Sequence, residues 1–397
     1  TAVAPLYLYG ANTYDGPTNL ASGSLFVRSL GSAGATSSNL GTNVGGGALN
    51  LGSVGNASAL FYVGAGETVT RTVNLASTTG AVTIDASGTG PLVLTSMGNT
   101  GAGAKTLTLG GVSTAMNTVS GVLANNGANV LSVTKSDVGT WVLAPSTPNT
   151  FTGALTLSGG VLGLNSNGIG SASSFAVNAG IFGVGGPVTL TTPPTVSGNN
   201  GQMTVVGVNP ITFTAATAFN RTNSNNTNAA IVMNMMEAGA ALTFNGDFAN
   251  LETQSGSTYF RFTGTGTTLV NGVIKDSATA TKLTGLDVRI SSSAKLTLSG
   301  SANTYTGATS ITQGWVELSK TAPFGPSGAV SLSASRLSAT VPLTGSDKLP
   351  NALTLSGTSV FTGSNGIEWG GATTVNGATR LVENLIDPAA ALILPGA

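Results

Sequence analysis

The 397-residue sequence has no cysteine and no histidine. The first absence removes disulfide staples and thiolate chemistry. The two together remove imidazole acid–base work and most zinc sites. Charge is scarce too. Only 7% of residues are charged, 14 basic against 14 acidic, where a typical globular protein carries about 25%. The basic residues are scattered and form no patch, so nucleic acid is not expected as a partner. No run of about 18 apolar residues is present, so no helix of this chain spans a membrane. A cytosolic enzyme of this length usually holds some cysteine and histidine, and a chain without either is comfortable outside the cell. The start Thr1-Ala2-Val3-Ala4-Pro5 predicts a mature terminus left after removal of a signal peptide.

Glycine is plentiful instead, with 57 residues, about twice the usual share. Thr, Ser, Ala, Asn, Leu and Val dominate the rest, which predicts a surface of hydroxyls and amides. The chain is organised around Asn303-Thr304-Tyr305-Thr306-Gly307, followed by Gly314 and Leu318. The pattern returns at Asn149, Phe151, Gly153, Gly160 and Leu164, and again at Asn12, Tyr14, Gly16, Gly23 and Val27. A weaker copy keeps Gly370, Val375, Gly377 and Leu381. Repeat units are therefore expected at 6–30, 141–170 and 295–325, with a weak one at 370–384.

Between the glycines, apolar residues alternate with Ser and Thr, as in Leu296-Thr297-Leu298 and Thr309-Ser310-Ile311-Thr312. That is the period of strands with one buried face. The paired glycines suit corners that need positive φ or close backbone approach. Asn suits a turn because it tolerates the left-handed region and bonds local backbone. The aromatics Tyr14, Phe151 and Tyr305 suit packing at a corner, with a ligand platform as the alternative. A unit of about 22 residues cannot bury its inner face alone, whereas a stack can. The predicted fold is all-β, a parallel β-helix (β-solenoid) running as one continuous body over 1–397, with on the order of 18 coils about 4.8 Å apart. Residues 31–66 are Gly/Ser/Asn-rich and predict loops or irregular coils. Asn220 to Asn228 predict a protruding loop, and Ile231 to Met236 a core strand or a partner-facing strip.

Chemistry is thin. The acidic residues are spread out, with no Asp-x-Asp pair and no Ca²⁺-binding glycine-rich nonapeptide. Asp247, Glu252 and Glu237 are the one set expected to approach each other, as a weak candidate for structural Ca²⁺. No catalytic residue, cofactor site or other metal site is assigned. Lys135, Arg221, Arg261 and Lys275 read as isolated surface or ladder positions. Asn56, Asn220 and Asn225 head glycosylation-type triplets.

The pattern at 303–318, with its copies at 149–164 and 12–27, resembles the passenger-associated transport repeat of bacterial autotransporters, also called the autotransporter-associated β-strand repeat. Asp15 and Pro17 depart from the pattern, and Val27 replaces Leu. The clear motif covers about an eighth of the chain. The resemblance implies a right-handed β-helix exposed on, or released from, a diderm bacterium, in a family composed mostly of adhesins and other large surface proteins. Neither end of the sequence reads as a polar cap, which leads to the expectation of identical subunits joined head to tail. Leu6, Tyr7, Leu8, Tyr9, Leu392, Ile393 and Leu394 are the contact candidates. The principal expectation is thus a non-enzymatic extracellular fibre subunit. The alternative is a monomeric passenger acting as an adhesin toward glycans or host surfaces, and the third reading is a carbohydrate-active β-helix enzyme.

Overall fold

A computed structural model describes residues 4–32, 34–197, 201–220, 229–252, 256–278, 282–377 and 382–396. The described residues form parallel strands and no α-helix, with a single 3₁₀ turn at Gly345–Asp347. The protein is a β-solenoid of about 13 turns. The count is lower than the sequence spacing predicts because coils are longer than 22 residues. Ile311 pairs with Leu332, but Val232 pairs with Phe262, so coil length ranges at least from 21 to 30 residues. The longer coil holds two further strands, Ala241–Phe244 and Phe248–Asn250, where the shorter one has none between Ser319 and Val330. The chain divides into two compact units, Thr1–Val188 and Thr189–Ala397.

In the first unit, short strands stack in register. Leu60, Ile84, Leu109, Lys135, Leu157 and Val177 form one inward column, and every member is fully buried. The alternating partners Thr83, Thr108, Thr134 and Thr156 form the outward column. Parallel neighbours normally need a long crossover, and here each coil supplies it. The segment 31–66, expected as irregular, contributes two of the strands, Leu49–Leu51 and Ser58–Tyr62. Their LNL and SALFY sequences alternate well enough to pair once neighbouring coils are present.

The second unit uses longer strands that turn corners. Thr309–Ser319 pairs its first half with Lys282–Ile290 and its second half with Lys295–Ser299. Burial shows how. Thr309 and Ile311 point inward, Thr312 and Gln313 are both exposed, and then Gly314, Val316 and Leu318 point inward. One extra residue inverts the alternation, as at a bulge, so the strand turns without losing its core face. Gly314 sits there with φ +99°, and a Cβ on it would lie 2.2 Å from Ile290. The apolar run Ala229–Met236 is a strand with alternating burial, in which Met236 is buried and Met235 is 42% exposed. The expected loop at 220–228 lies outside the described residues apart from Asn220, which ends a strand.

Candidate functional site

The repeat motif builds a corner staple. Asn303 is buried; its Oδ1 accepts from the Ile274 amide of the preceding coil at 2.9 Å, and its Nδ2 donates to the Pro323 carbonyl of the following coil at 2.6 Å. Asn149 does the same between the Leu123 amide (2.8 Å) and the Gly168 carbonyl (2.7 Å). One side chain thus ties three coils, satisfying backbone groups at a bend where ladder bonds stop. Asn12 donates to the Asn39 carbonyl at 2.7 Å. Sequence reading missed a further staple, Asn117, which accepts from Leu92 at 2.9 Å and donates to Thr140 at 2.9 Å. Its signal was Asn117-Thr118-Val119-Ser120-Gly121, the corner pattern with valine in place of the aromatic.

The motif's aromatics divide. Phe151 and Tyr305 are fully buried, whereas Tyr14 is 41% exposed. Tyr305 Oη and Thr309 Oγ1 share a 2.6 Å hydrogen bond, and Tyr14 with Thr18 repeats it at 2.6 Å. Where the aromatic is Phe151, the residue four positions on is Leu155. Hydroxyl pairs with hydroxyl and apolar with apolar. The two glycines serve different ends. At Gly307 a Cβ would lie 2.3 Å from the Thr284 carbonyl, and at Gly153 one would lie 2.4 Å from the Leu131 carbonyl; Gly16 meets nothing within 4 Å. Gly23, Gly160 and Gly314 instead hold positive φ. In the weak copy, Gly377 also has positive φ, Val375 is exposed, and Leu381 lies outside the described residues.

The acidic trio does not assemble. Asp247 precedes the strand Phe248–Asn250 and pairs with Lys275, whereas Glu252 lies beyond that strand, buried, accepting from Thr258 at 3.2 Å. Glu237 is exposed. Among the described residues no group of three or more acidic side chains is placed to hold a metal ion. Lys135 is no surface residue. It fills a core position and donates to the carbonyls of Ser136, Asp137 and Gly159. Burial lowers its pKa from 10.5 to about 8, with Asp137 opposing the shift. Lys320, likewise buried, donates to Asn303 Oδ1 at 2.9 Å and is lowered to about 8. Arg261 pairs with Asp287, and Arg221 lies outside the described residues. Asn56 is exposed and bonds its own turn at Ser53 and Val54; Asn225 lies outside the described residues.

The terminal candidates occupy outer strands. Leu6–Leu8 pairs with Leu25–Val27, leaving Leu6, Tyr7 and Tyr9 more than two-fifths exposed. Leu392–Ile393 pairs with Ile367–Glu368, and Leu394 follows it, half-buried.

Two outward features of the second unit carry charge. Trp315 stands between Lys295 and Arg336, whose charged groups lie 5.0 and 4.2 Å from its ring centroid. Both faces of that indole are occupied, and its N–H donates to Ser338 at 2.7 Å. The other feature is an open cleft of about 490 Å³ lined by Tyr259, Arg261, Asp287, Arg289, Ser310 and Ser331, among others. It is the candidate site.

A family model, the passenger-associated-transport-repeat, matches residues 6–26, 133–164 and 291–318. These are the three places where the Asn–aromatic–Gly corner stands. The chain is also similar to the adhesin BmaC autotransporter of Brucella suis biovar 1 (strain 1330), 37% identical over 115 residues. That match covers 28% of this chain and 3% of the relative, so the chain spans a small fraction of the relative's length. No solved structure matches. The chain is a β-solenoid carrying three passenger-associated transport repeats, and over part of its length it is similar to an autotransporter adhesin.

Proposed function

We propose that this protein is an extracellular passenger of the autotransporter kind, from a Gram-negative bacterium, and that it works as a non-catalytic adhesin. The observation that carries the reading is the repeat match together with the similarity to a relative named as an adhesin. The surface agrees. Its outward columns are hydroxyls and amides held at strand spacing, a rigid array suited to many weak polar contacts. The carboxylates that the sequence suggested could meet, Asp247 and Glu252, are separated by a strand and each has its own partner. Nothing in the comparisons favours the head-to-tail fibre over the passenger, and the adhesin is the better supported of the two.

The test is display of residues 1–397 on a non-adherent bacterium through an unrelated surface anchor. Attachment to epithelial monolayers is expected to rise at least tenfold over the anchor alone. Attachment no better than the anchor alone overturns the adhesin reading. Negative-stain images of the purified chain give the second arm. Single particles are expected, and fibres growing with time would restore the polymer.

A further inference from the structure

The cleft on the second unit arises from two adjacent outward columns. In the first, Tyr259 faces Gly285 across the ladder. The column continues through Ala308, Ala329 and Ala352, whose carbonyls accept from the amides of Leu286, Thr309 and Val330. One large ring is thus followed by four successive coils with glycine or alanine. A Cβ at Gly285 would lie 2.7 Å from the Tyr259 ring, so glycine is what lets that ring lie along the column. The second column is Arg261, Asp287, Ser310, Ser331 and Thr354. The result is a trough floored by small residues, walled by hydroxyls, and closed at one end by an aromatic ring and a charge cluster.

That cluster is unbalanced. Asp287 accepts from Arg261 Nε at 2.7 Å and from Arg289 Nε at 3.0 Å. One carboxylate faces two guanidiniums, so a positive charge is left over. Asp287 is nearly buried (5% exposed), whereas Arg289 is 51% exposed. Among the described residues, the terminal nitrogens of both guanidiniums make no hydrogen bond. These planar, doubly donating groups suit an oxyanion. A linear polysaccharide presents hydroxyls at a regular interval, as the column presents Ser310, Ser331 and Thr354 about 4.8 Å apart.

We propose that this trough binds acidic polysaccharide. A sugar carboxylate or sulfate sits on Arg289 and Arg261, a sugar ring lies against Tyr259, and neighbouring hydroxyls bond Ser310 and Ser331. A nucleic acid would require a longer run of cations than this face offers. The inference rests on the adhesin reading and names the ligand class of that surface.

The experiment measures binding of the full chain to polygalacturonate, dextran sulfate and neutral dextran. Binding to at least one acidic polymer and not to dextran is expected, and which polymer binds identifies the oxyanion. Arg289→Gln keeps the Arg261–Asp287 pair and is expected to weaken binding at least tenfold. Ala329→Glu, at an exposed position, fills the trough with a like charge and is expected to do the same. Thr134→Glu, on the outward column of the first unit, is the control and leaves binding unchanged. Equal weakening by all three variants means diffuse attraction and overturns the proposal, as does binding that Arg289→Gln leaves intact. If displayed chain still attaches to cells while none of the polymers binds, this inference falls and the adhesin stands. Loss of both overturns both.

Discussion

The two units use one outward pattern to different effect. In the first, the column Thr83, Thr108, Thr134 and Thr156 is uniform. Its outward aromatics Phe26 and Phe61 stack on each other at 4.3 Å, nearly parallel, and so consume their own faces. In the second, the hydroxyl column begins with Arg261 and Asp287, and Tyr259 lies beside glycine and alanines. A solenoid's outer wall is a periodic surface, so a site appears wherever a few coils break the period together. The inner wall is not a matter of polarity alone. The first unit buries Lys105 and Lys135 and the second Lys320, each capping carbonyls or an amide oxygen at a bend.

The largest test of this comparison concerns those buried lysines. Lys135 and Lys320 have pKa values near 8 when folded, against 10.5 for a free side chain. Between about pH 8 and pH 10 the unfolded chain therefore binds more protons, and stability rises with pH, by up to about 3 kcal/mol per lysine. Above that window the buried phenol Tyr305, held above its ordinary range by desolvation, reverses the trend. Melting temperature against pH is expected to climb from pH 7.5 to about 10 and to fall only at about pH 11. A flat or declining curve across the first interval would remove these lysines from the cationic, buried role.

The corner staples come next. Asn303→Ala strands the Ile274 amide and the Pro323 carbonyl and also takes one acceptor from Lys320, costing about 3 kcal/mol. Asn149→Ala strands only the Leu123 amide and Gly168 carbonyl, at about 2 kcal/mol. Urea midpoints that rank the two variants the other way would show that the lysine bond adds nothing to the second unit's corner.

The smallest effect separates the two aromatic corners. Tyr305→Phe leaves the buried Thr309 hydroxyl without its partner, at about 1–2 kcal/mol. Adding Thr309→Val is expected to return most of that loss, because the pair then resembles Phe151 with Leu155. Additive losses in the double variant would mean that the hydroxyl pair is not the unit of coupling.

Legibility followed locality. The strand rhythm, the corner motif and the two-glycine spacing were readable because alternation and glycine act within a few residues. Coil number was not, since the length of chain between Val232 and Phe262 leaves no periodic mark. The staples at Asn117 and Asn303 look alike in space but only the second carries the motif's aromatic. Lys135 looked like a surface residue because its neighbours Thr134 and Ser136 are polar; its inward direction follows from the register that pairs it with Leu109 and Leu157. Asp247 and Glu252 looked adjacent because they are five positions apart, yet an intervening strand separates them.

What the sequence by itself determined is the solenoid class, through alternation that only stacked coils can bury, and the corner chemistry of Asn, aromatic and Gly. What only the tertiary structure decided is which residues from different coils share a column. Arg261, Asp287 and Arg289 meet because a coil of 26 residues happens to bring Arg261 opposite Asp287. That meeting depends on the summed lengths of strands and turns, a quantity set by every residue of a coil and marked by none of them.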